Sequence, residues 1–301
     1  MKDIMTIVFR LTVSCLLAGL VMGTAFIFTS KAKKHNEHVN EQKVMFSLLG
    51  YTADQAKPAS LALHEVYRYV VTDQQGLSVG YLVPMAGEDK AAYTFVAIGL
   101  DGAYLGSYPV ALAQEEVSEL GPRDQAIAAA LGPEKTIRYA DETIVVTNNG
   151  KRQAYLLPGE FPGFKTFIKV IMAVDQSFTV IGLEIMEHEE DPGLGGEIVQ
   201  NYFKNQFKGK SFTALKKLGV AKVPLPDDYL KALDADKYGL TAADVAAVQE
   251  LYQDKDIYAL TGATISSRSV TNGVKGIVKK FAYRVSILDK VLAEQQIAVP
   301  F

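Results

Sequence analysis

Thr166–Asp191 reads TFIKVIMAVDQSFTVIGLEIMEHEED. Two runs rich in β-branched and aliphatic residues flank a break near Asp175, and the second run ends in acid. The segment therefore predicts strand, turn, strand. An earlier stretch, Thr94–Glu116, TFVAIGLDGAYLGSYPVALAQEE, follows the same grammar. The likeness is a weak internal repeat, because short hairpins resemble one another by composition alone. Only the second copy runs on into Asp191-Pro192-Gly193-Leu194-Gly195-Gly196, so it is the copy expected to hold a ligand.

Outward from this hairpin the signals alternate. EVYRYVVTD from Glu65, GYLVPM, TIVVT and QAYLLP read as further strands, and Asn149-Gly150 between the last two is a hairpin turn signal. PRDQAIAAALG interrupts them as a helical patch. Towards the C-terminus, Thr241 and Asp244 in TAADVAAVQELYQ are spaced like a capping box. A last helix begins near Ile265, with Val270, Val274, Ile277, Phe281, Val285, Leu288 and Leu292 forming one apolar stripe. Strands in the middle with helices around them predict an α+β domain.

Before the strands, Leu11–Thr29 carries no charge over 19 residues. As a helix it would span about 28 Å, enough to cross a bilayer. A cleaved signal peptide is the competing reading, but the run ends in FTSKAKK without a small-residue cleavage site. The surroundings of Cys15 do not suggest a lipoprotein anchor. Lys2 and Arg10 precede the span while Lys31, Lys33 and Lys34 follow it, so charge alone does not set the topology. Residues 31–50 read as a helical stalk stopped by Gly50. The expected organisation is an anchor at 1–30, a stalk at 31–64, a strand-rich first lobe and possible degenerate repeat at 65–150, and a second domain at 151–301.

Composition removes several classes of function. The 301 residues hold 31 Lys plus Arg against 34 Asp plus Glu, a net charge of −3, and no basic tract interleaved with aromatics, so no nucleic-acid partner is expected. A single Cys, at position 15, excludes disulfide scaffolds and Cys-based zinc or iron–sulfur sites within the chain. Redox chemistry would need a borrowed cofactor.

Two motifs carry chemistry. Thr261-Gly262-Ala263-Thr264 enters the last helix, where small residues let a ligand approach and unpaired amides attract phosphate. The bland alternative is a plain N-cap. His188-Glu189-Glu190-Asp191-Pro192-Gly193-Leu194-Gly195-Gly196 ends the second hairpin. Its Pro and three Gly allow a sharp turn against a planar ligand. The bland alternative for its acidic run is a solvated strand end, followed by a hard-metal site; neither accounts for PGLGG.

Together these residues resemble the covalent FMN-binding domain of the G subunit of the Rnf electron-transport complex and of the C subunit of the sodium-pumping NADH:quinone reductase. That family carries HxETPGLG followed by [ST]GAT. Here the loop is HEEDPGLG and the second motif TGAT, with 72 positions from Pro192 to Thr264. The resemblance runs from about Tyr155 to Tyr283 and includes FKGKSF. Carried over, it makes Thr264 the residue bearing one FMN per chain through a phosphoester, Thr261, Gly262 and Ala263 its loop, and Glu190, Pro192, Gly193, Leu194 and Gly195 the side facing the isoalloxazine. Asp191 stands where the family usually has Thr. Tyr258 stands where an Asp of the flavin-transferase recognition pattern commonly sits, with Asp256 close by. The absence of Trp in GGEIVQNYFKNQFKGK favours the Rnf protein over the sodium-pumping one, and residues 65–150 are longer than either implies.

The resemblance implies a single-pass protein of the inner membrane with its FMN-binding domain on the periplasmic side. It implies partnership with other membrane and redox subunits, and a flavin transferase for maturation. No triad, P-loop or GxGxxG fingerprint is present, so no catalytic or metal residue is assigned. The expected role is an electron relay, a redox subunit of an ion-translocating oxidoreductase that is not catalytic alone. The rivals are a sodium-translocating C subunit, a membrane-anchored module binding a small solute, and a scaffold protein that has lost its flavin.

Overall fold

The computed structural model describes residues 2–51, 57–87 and 92–301. Positions 52–56 of the expected stalk and 88–91 of the expected first lobe lie outside the described residues. The chain divides into two compact units, Met1–Ser47 and Leu48–Phe301.

The first unit is taken up by helix α1 (Lys2–Leu48). Its stretch Ile4–Ile27, 24 residues of mean hydropathy 2.2 with none buried, is long and apolar enough to cross a membrane. That stretch starts earlier than the uncharged run at Leu11, because Ile4, Met5, Ile7, Val8 and Phe9 make the turns around Arg10 apolar. Its hydroxyls are turned inward onto the helix: Thr12 donates to the Val8 carbonyl (2.9 Å), Ser14 to Arg10 (2.7 Å) and Thr24 to Leu20 (2.8 Å). Such back-bonding satisfies the hydroxyls within the helix itself.

The second unit is built on one antiparallel sheet. Its strands are β1 (Leu61–Asp73), β2 (Gly76–Pro84), β3 (Ala92–Gly99), β4 (Tyr104–Ala111), β5 (Thr136–Asn148), β6 (Lys151–Pro162), β7 (Phe167–Asp175) and β8 (Val180–Glu187). They lie in the order β4-β3-β2-β1-β5-β6-β7-β8. This is two four-stranded meanders joined where β1 pairs with β5, from Leu61 opposite Asn148 to Thr72 opposite Thr136. The two look-alike hairpins thus hold equivalent places. β3–β4 is one edge of the sheet and β7–β8 the other, each closing its own meander. The Asn149-Gly150 turn between β5 and β6 has φ of 52° and 70°, the paired positive values of a tight hairpin.

The period-2 pattern of the strands gives the sheet two apolar faces. On one face of the first meander, Tyr67, Tyr69, Val71, Leu82 and Phe95 pack under α2 (Leu120–Leu131), whose Ile127 is fully buried. On the other face lies α8 (Thr264–Glu294), the expected last helix. Its stripe residues Val270, Val274, Phe281, Val285, Leu288 and Leu292 are buried against Val145, Tyr155, Leu157, Phe161 and Met172. Each such side chain contributes ~1.5–3 kcal/mol. The helix lies close to β6 because position 273 is glycine: a Cβ there would fall 2.2 Å from the Phe161 ring. Two ionic struts fix its far end. Asp289 accepts both guanidinium branches of Arg152 (2.7 and 3.0 Å), and Asp141 on β5 accepts from Arg284 (3.0 Å) and from Arg68 of β1 (2.8 Å).

Between β8 and α8 the chain makes short elements: α3 (Asn201–Lys204), α4 (Phe212–Lys217), β9 (Val220–Ala221), α5 (Asp227–Leu233), α6 (Ala235–Tyr238), α7 (Ala242–Tyr252) and β10 (Ile257–Tyr258). The Thr241–Asp244 capping box opens α7 with both reciprocal bonds formed. β10 pairs in parallel with β9, Ile257 opposite Val220, and delivers the chain to the start of α8. The expected α+β architecture, with one apolar N-terminal helix ahead of it, is what the chain adopts.

Candidate functional site

The loop after β8 and the start of α8 are 70-odd positions apart in sequence and adjacent in space. Glu190 makes the join. Its side chain is 4% exposed, and its carboxylate accepts from the Phe164 amide (2.7 Å), from the Lys165 amide (3.4 Å) and from the Ser266 hydroxyl. One buried anion thereby holds the β6–β7 turn, its own loop and the first turn of α8. Gly195 is required by this packing: a Cβ there would lie 2.6 Å from Ser266 Oγ and 2.7 Å from Glu190 Oε2. Charge-assisted bonds of this kind exceed neutral ones, and removing the acceptor would strand the buried Ser266 hydroxyl and leave two turn amides without this partner.

The glycine loop turns as its composition predicts. Leu194 and Gly196 amides both donate to the Asp191 carbonyl (3.2 and 2.8 Å), and Gly193 sits at φ 73°. This presents Leu194 outward, about half exposed, with its Cδ2 against Gly262. Gly262 itself has φ 75°. Phe164 and Ile265 are likewise exposed apolar side chains on the segments joined by Glu190.

Thr261 and Gly262 are exposed, Ala263 is buried and Thr264 lies between. Ala263 is the N-cap of α8, without a side-chain cap bond, and Thr264 is the first helical residue. The plain N-cap alternative therefore does not describe Thr264. Stabilisation of the entry falls to buried Ser267, whose hydroxyl accepts from the Leu260 amide (2.9 Å) and donates to the Ala263 carbonyl (3.0 Å). The Ser267 amide also bonds back to Ala263 (3.0 Å), so the amides of Thr264, Ile265 and Ser266 stand ahead of the helix ladder at the positive end of its dipole.

The acidic run is divided among separate duties. Glu187 pairs with Lys169 (2.6 Å), Asp191 pairs with Lys165, and Glu190 is buried as described. The Asp191 carboxylate raises the Lys165 pKa above its ordinary value. Among the described residues no group of three or more His, Cys, Asp or Glu side chains could hold a metal ion.

Tyr258, the second departure from the family pattern, and its neighbour Asp256 are also placed. The Asp256 carboxylate accepts from the Gly219 amide (2.8 Å). The Tyr258 ring meets the stacked pair Tyr229 and Tyr252 edge-on, with centroids 6.1 and 6.3 Å away. Residues that the motif reading did not assign are Ser266 and Ser267, which follow TGAT after Ile265, and Gln206 and Lys210 in the KNQFKGK stretch. Their signal was weak, since buried Ser, Gln and Lys have no periodic signature.

A fit to FMN can be tested on these features. Thr264 offers a partly exposed hydroxyl beside an open helix start that suits a phosphate. Leu194, Phe164 and Ile265 offer apolar surface suited to a planar ring system, and Gly193, where a Cβ would meet nothing within 4 Å, leaves room close to the backbone. The residues present fit the group.

Comparison with known proteins agrees. Residues 163–279 match the family model of the FMN-binding domain. A relative from Clostridium ljungdahlii, the G subunit of a proton-translocating ferredoxin:NAD(+) oxidoreductase complex, is 32% identical over 130 residues, covering 43% of this chain and 54% of the relative. One from Acetobacterium woodii, the G subunit of a Na(+)-translocating ferredoxin:NAD(+) oxidoreductase complex, is 27% identical over 151 residues, covering 50% and 59%. The chain thus spans about half the length of the curated relatives it matches. The crystal structure of Shewanella oneidensis NqrC aligns at 14% identity with a TM-score of 0.40, covering 78% of this chain and 89% of that one. The resemblance read from the two motifs is borne out over residues 163–279, which match the FMN-binding domain.

Proposed function

We propose that this protein is the membrane-anchored flavin-carrying G subunit of an Rnf-type ion-translocating ferredoxin:NAD(+) oxidoreductase complex. The relatives named above are G subunits of ion-translocating ferredoxin:NAD(+) oxidoreductase complexes, and the helix stretch Ile4–Ile27 is long and apolar enough for a single anchor. In this reading the anchor lies in the inner membrane, the second unit stands on the periplasmic side, and the partners are the other membrane and redox subunits. The observation that carries the proposal is the Glu190–Ser266 join, which puts the glycine loop beside Thr264 within a matched FMN-binding domain.

Thr264 would hold FMN through a phosphoester formed with loss of one water, a step requiring a flavin transferase. When bound, FMN supplies one- and two-electron redox chemistry through its ring. This chain's residues would do the rest. The amides of Thr264–Ser266 and the α8 dipole would bind the phosphate. Gly262, at positive φ, would shape the turn beside it, and Ala263 would add no bulky side chain. Leu194, with Pro192, Gly193 and Gly195, would orient the ring and exclude water from it. Glu190 would keep the two loops in register from beneath.

The test is mass spectrometry and in-gel fluorescence of the denatured chain from native membranes. FMN minus one water on the peptide containing Thr264, lost in Thr264→Val with folding retained, is the expected result. An unmodified Thr264 peptide from native membranes, with no fluorescence surviving denaturation, would defeat the proposal in favour of a scaffold or a solute-binding module.

A further inference from the structure

The 206–210 segment carries two buried polar side chains that the site as described does not use. Gln206 is 2% exposed and Lys210 is 1% exposed. Lys210 spends its hydrogen bonds on the backbone of one stretch, residues 252–258, and Gln206 bonds to the same stretch while its Nε2 also donates to the Tyr202 carbonyl (3.1 Å). Tyr258 N–H donates to Gln206 Oε1 (2.7 Å), and Gln206 Nε2 donates back to the Tyr258 carbonyl (3.3 Å), so an amide side chain imitates a neighbouring strand. Lys210 Nζ donates to the carbonyls of Tyr252 (3.2 Å), Gln253 (3.0 Å) and Lys255 (2.7 Å). Three ammonium protons meet three carbonyls at the C-terminal end of α7, where a helix presents its negative pole.

The other end of the connection is anchored in the sheet. The Gly209 amide donates to the Val180 carbonyl (2.8 Å) and the Val180 amide to the Lys210 carbonyl (3.1 Å), tying the segment to the first residue of β8. Beyond Tyr258 only Ala259 and Leu260 precede Thr261, and the Leu260 amide is already held by Ser267. Position is therefore passed from β8 through 206–210 and 252–258 to the start of α8. A buried ammonium is an expensive way to close a turn unless its charge is used. Burial lowers the Lys210 pKa to about 8, against the opposing pull of Asp254 and Asp256.

We infer that Gln206 and Lys210 are positioning residues for the Thr261–Thr264 loop, with the Lys210 ammonium acting as a tethered cation in a three-carbonyl cage. The role rests on the proposed attachment at Thr264 for its purpose, but its test does not. In Lys210→Ala the cage is left empty and ammonium ion is the severed head group.

The full chain, produced with a flavin transferase and purified from membranes, is compared as wild type, Lys210→Ala, Lys210→Arg and Gln206→Met. Flavin on wild-type Thr264 tests the attachment by itself. Deuterium exchange tests the inference without any flavin. In Lys210→Ala, exchange across 252–264 is expected to accelerate by about tenfold, the scale of stranding buried carbonyls, while β5–β7 amides stay protected. Ammonium chloride should restore slow exchange where sodium chloride of equal ionic strength does not, and Lys210→Arg should restore it in part. Unchanged exchange in Lys210→Ala, or acceleration over the whole second unit that ammonium does not reverse, overturns the inference. If Lys210→Ala does not fold, Gln206→Met decides: faster exchange confined to 257–264 supports the inference, and wild-type exchange there refutes it.

Discussion

Ser266 on α8 donates its hydroxyl to the carboxylate of Glu190, 76 positions earlier, and that bond closes the contact between two loops that sequence alone presents as separate motifs. The same carboxylate takes the Phe164 amide at 2.7 Å. Glu190 is thus a buried strut as well as a member of the loop expected to face a flavin.

Glu190→Ala should remove this strut and strand both donors, lowering stability by ~2–4 kcal/mol. Glu190→Gln keeps an acceptor for Phe164 and can reorient toward the Ser266 hydroxyl, so its loss should be smaller. Thermal or urea unfolding of both variants checks the order. An alanine variant as stable as the wild type would show that the carboxylate does not join the loops.

Gly195 and Gly276 should respond to alanine with opposite signs. At 195 the new Cβ would stand within 2.7 Å of both Ser266 and Glu190, so Gly195→Ala should cost ~1–3 kcal/mol and displace the loop. At 276, inside α8, a Cβ meets nothing within 4 Å, so Gly276→Ala should stabilise by ~0.4–1 kcal/mol. Denaturant midpoints of the pair measure both. Equal shifts in one direction would mean that the packing at 195 is looser than described.

Much of this was legible in the sequence because it rests on local rules. The strand runs, the Asn149-Gly150 turn, the Thr241–Asp244 capping box and the α8 stripe each follow from period, turn chemistry or capping. The motif pair was legible for a different reason, since Pro192 to Gly196 and Thr261 to Thr264 are short backbone-shaping stretches with few other uses. What could not be read was the pairing of β1 with β5, which joins the two meanders, because strand partners far apart leave no local signal. Nor could the burial of Glu190, Gln206 and Lys210 be read, since a polar residue becomes internal only when a distant partner is in place.

Asp141 serves Arg68 and Arg284 with one carboxylate, linking β1, β5 and α8. The side chains are 14–35% exposed, so solvent screening limits the gain. Asp141→Asn should destabilise by ~1–2 kcal/mol, with Arg68 left as the more buried unpaired cation. Repeating the unfolding in high salt should narrow the difference between variant and wild type only slightly, because the shielded Arg68 contact is screened less than an exposed pair. A difference that vanishes in salt would assign Asp141 to surface electrostatics alone.

Buried tyrosines should set the alkaline limit of the fold. Burial raises the pKa of Tyr81 to about 12, with Arg68 and Arg284 pulling it down and Asp141 pushing it up. Burial likewise raises Tyr67, Tyr69, Tyr139 and Tyr229. Each phenol keeps its proton in the folded state at a pH where the unfolded chain, with an ordinary tyrosine pKa near ~10, has lost it. Between these values the native state binds more protons than the unfolded one, so stability is whole below pH ~10 and falls as pH rises through the folded pKa values. Tyr81 alone accounts for ~2–3 kcal/mol of that loss. The check is tyrosinate absorbance and circular dichroism followed together from pH 9 upward. The buried phenols should ionise only as the sheet unfolds, and Tyr81→Phe should carry the transition to higher pH. Tyrosinate absorbance completing near pH 10 with the circular dichroism unchanged would show these rings to be open to solvent, against the packing of Tyr81 in the α8 cluster, of Tyr67, Tyr69 and Tyr139 beneath α2, and of Tyr229 against Tyr252 and Tyr258.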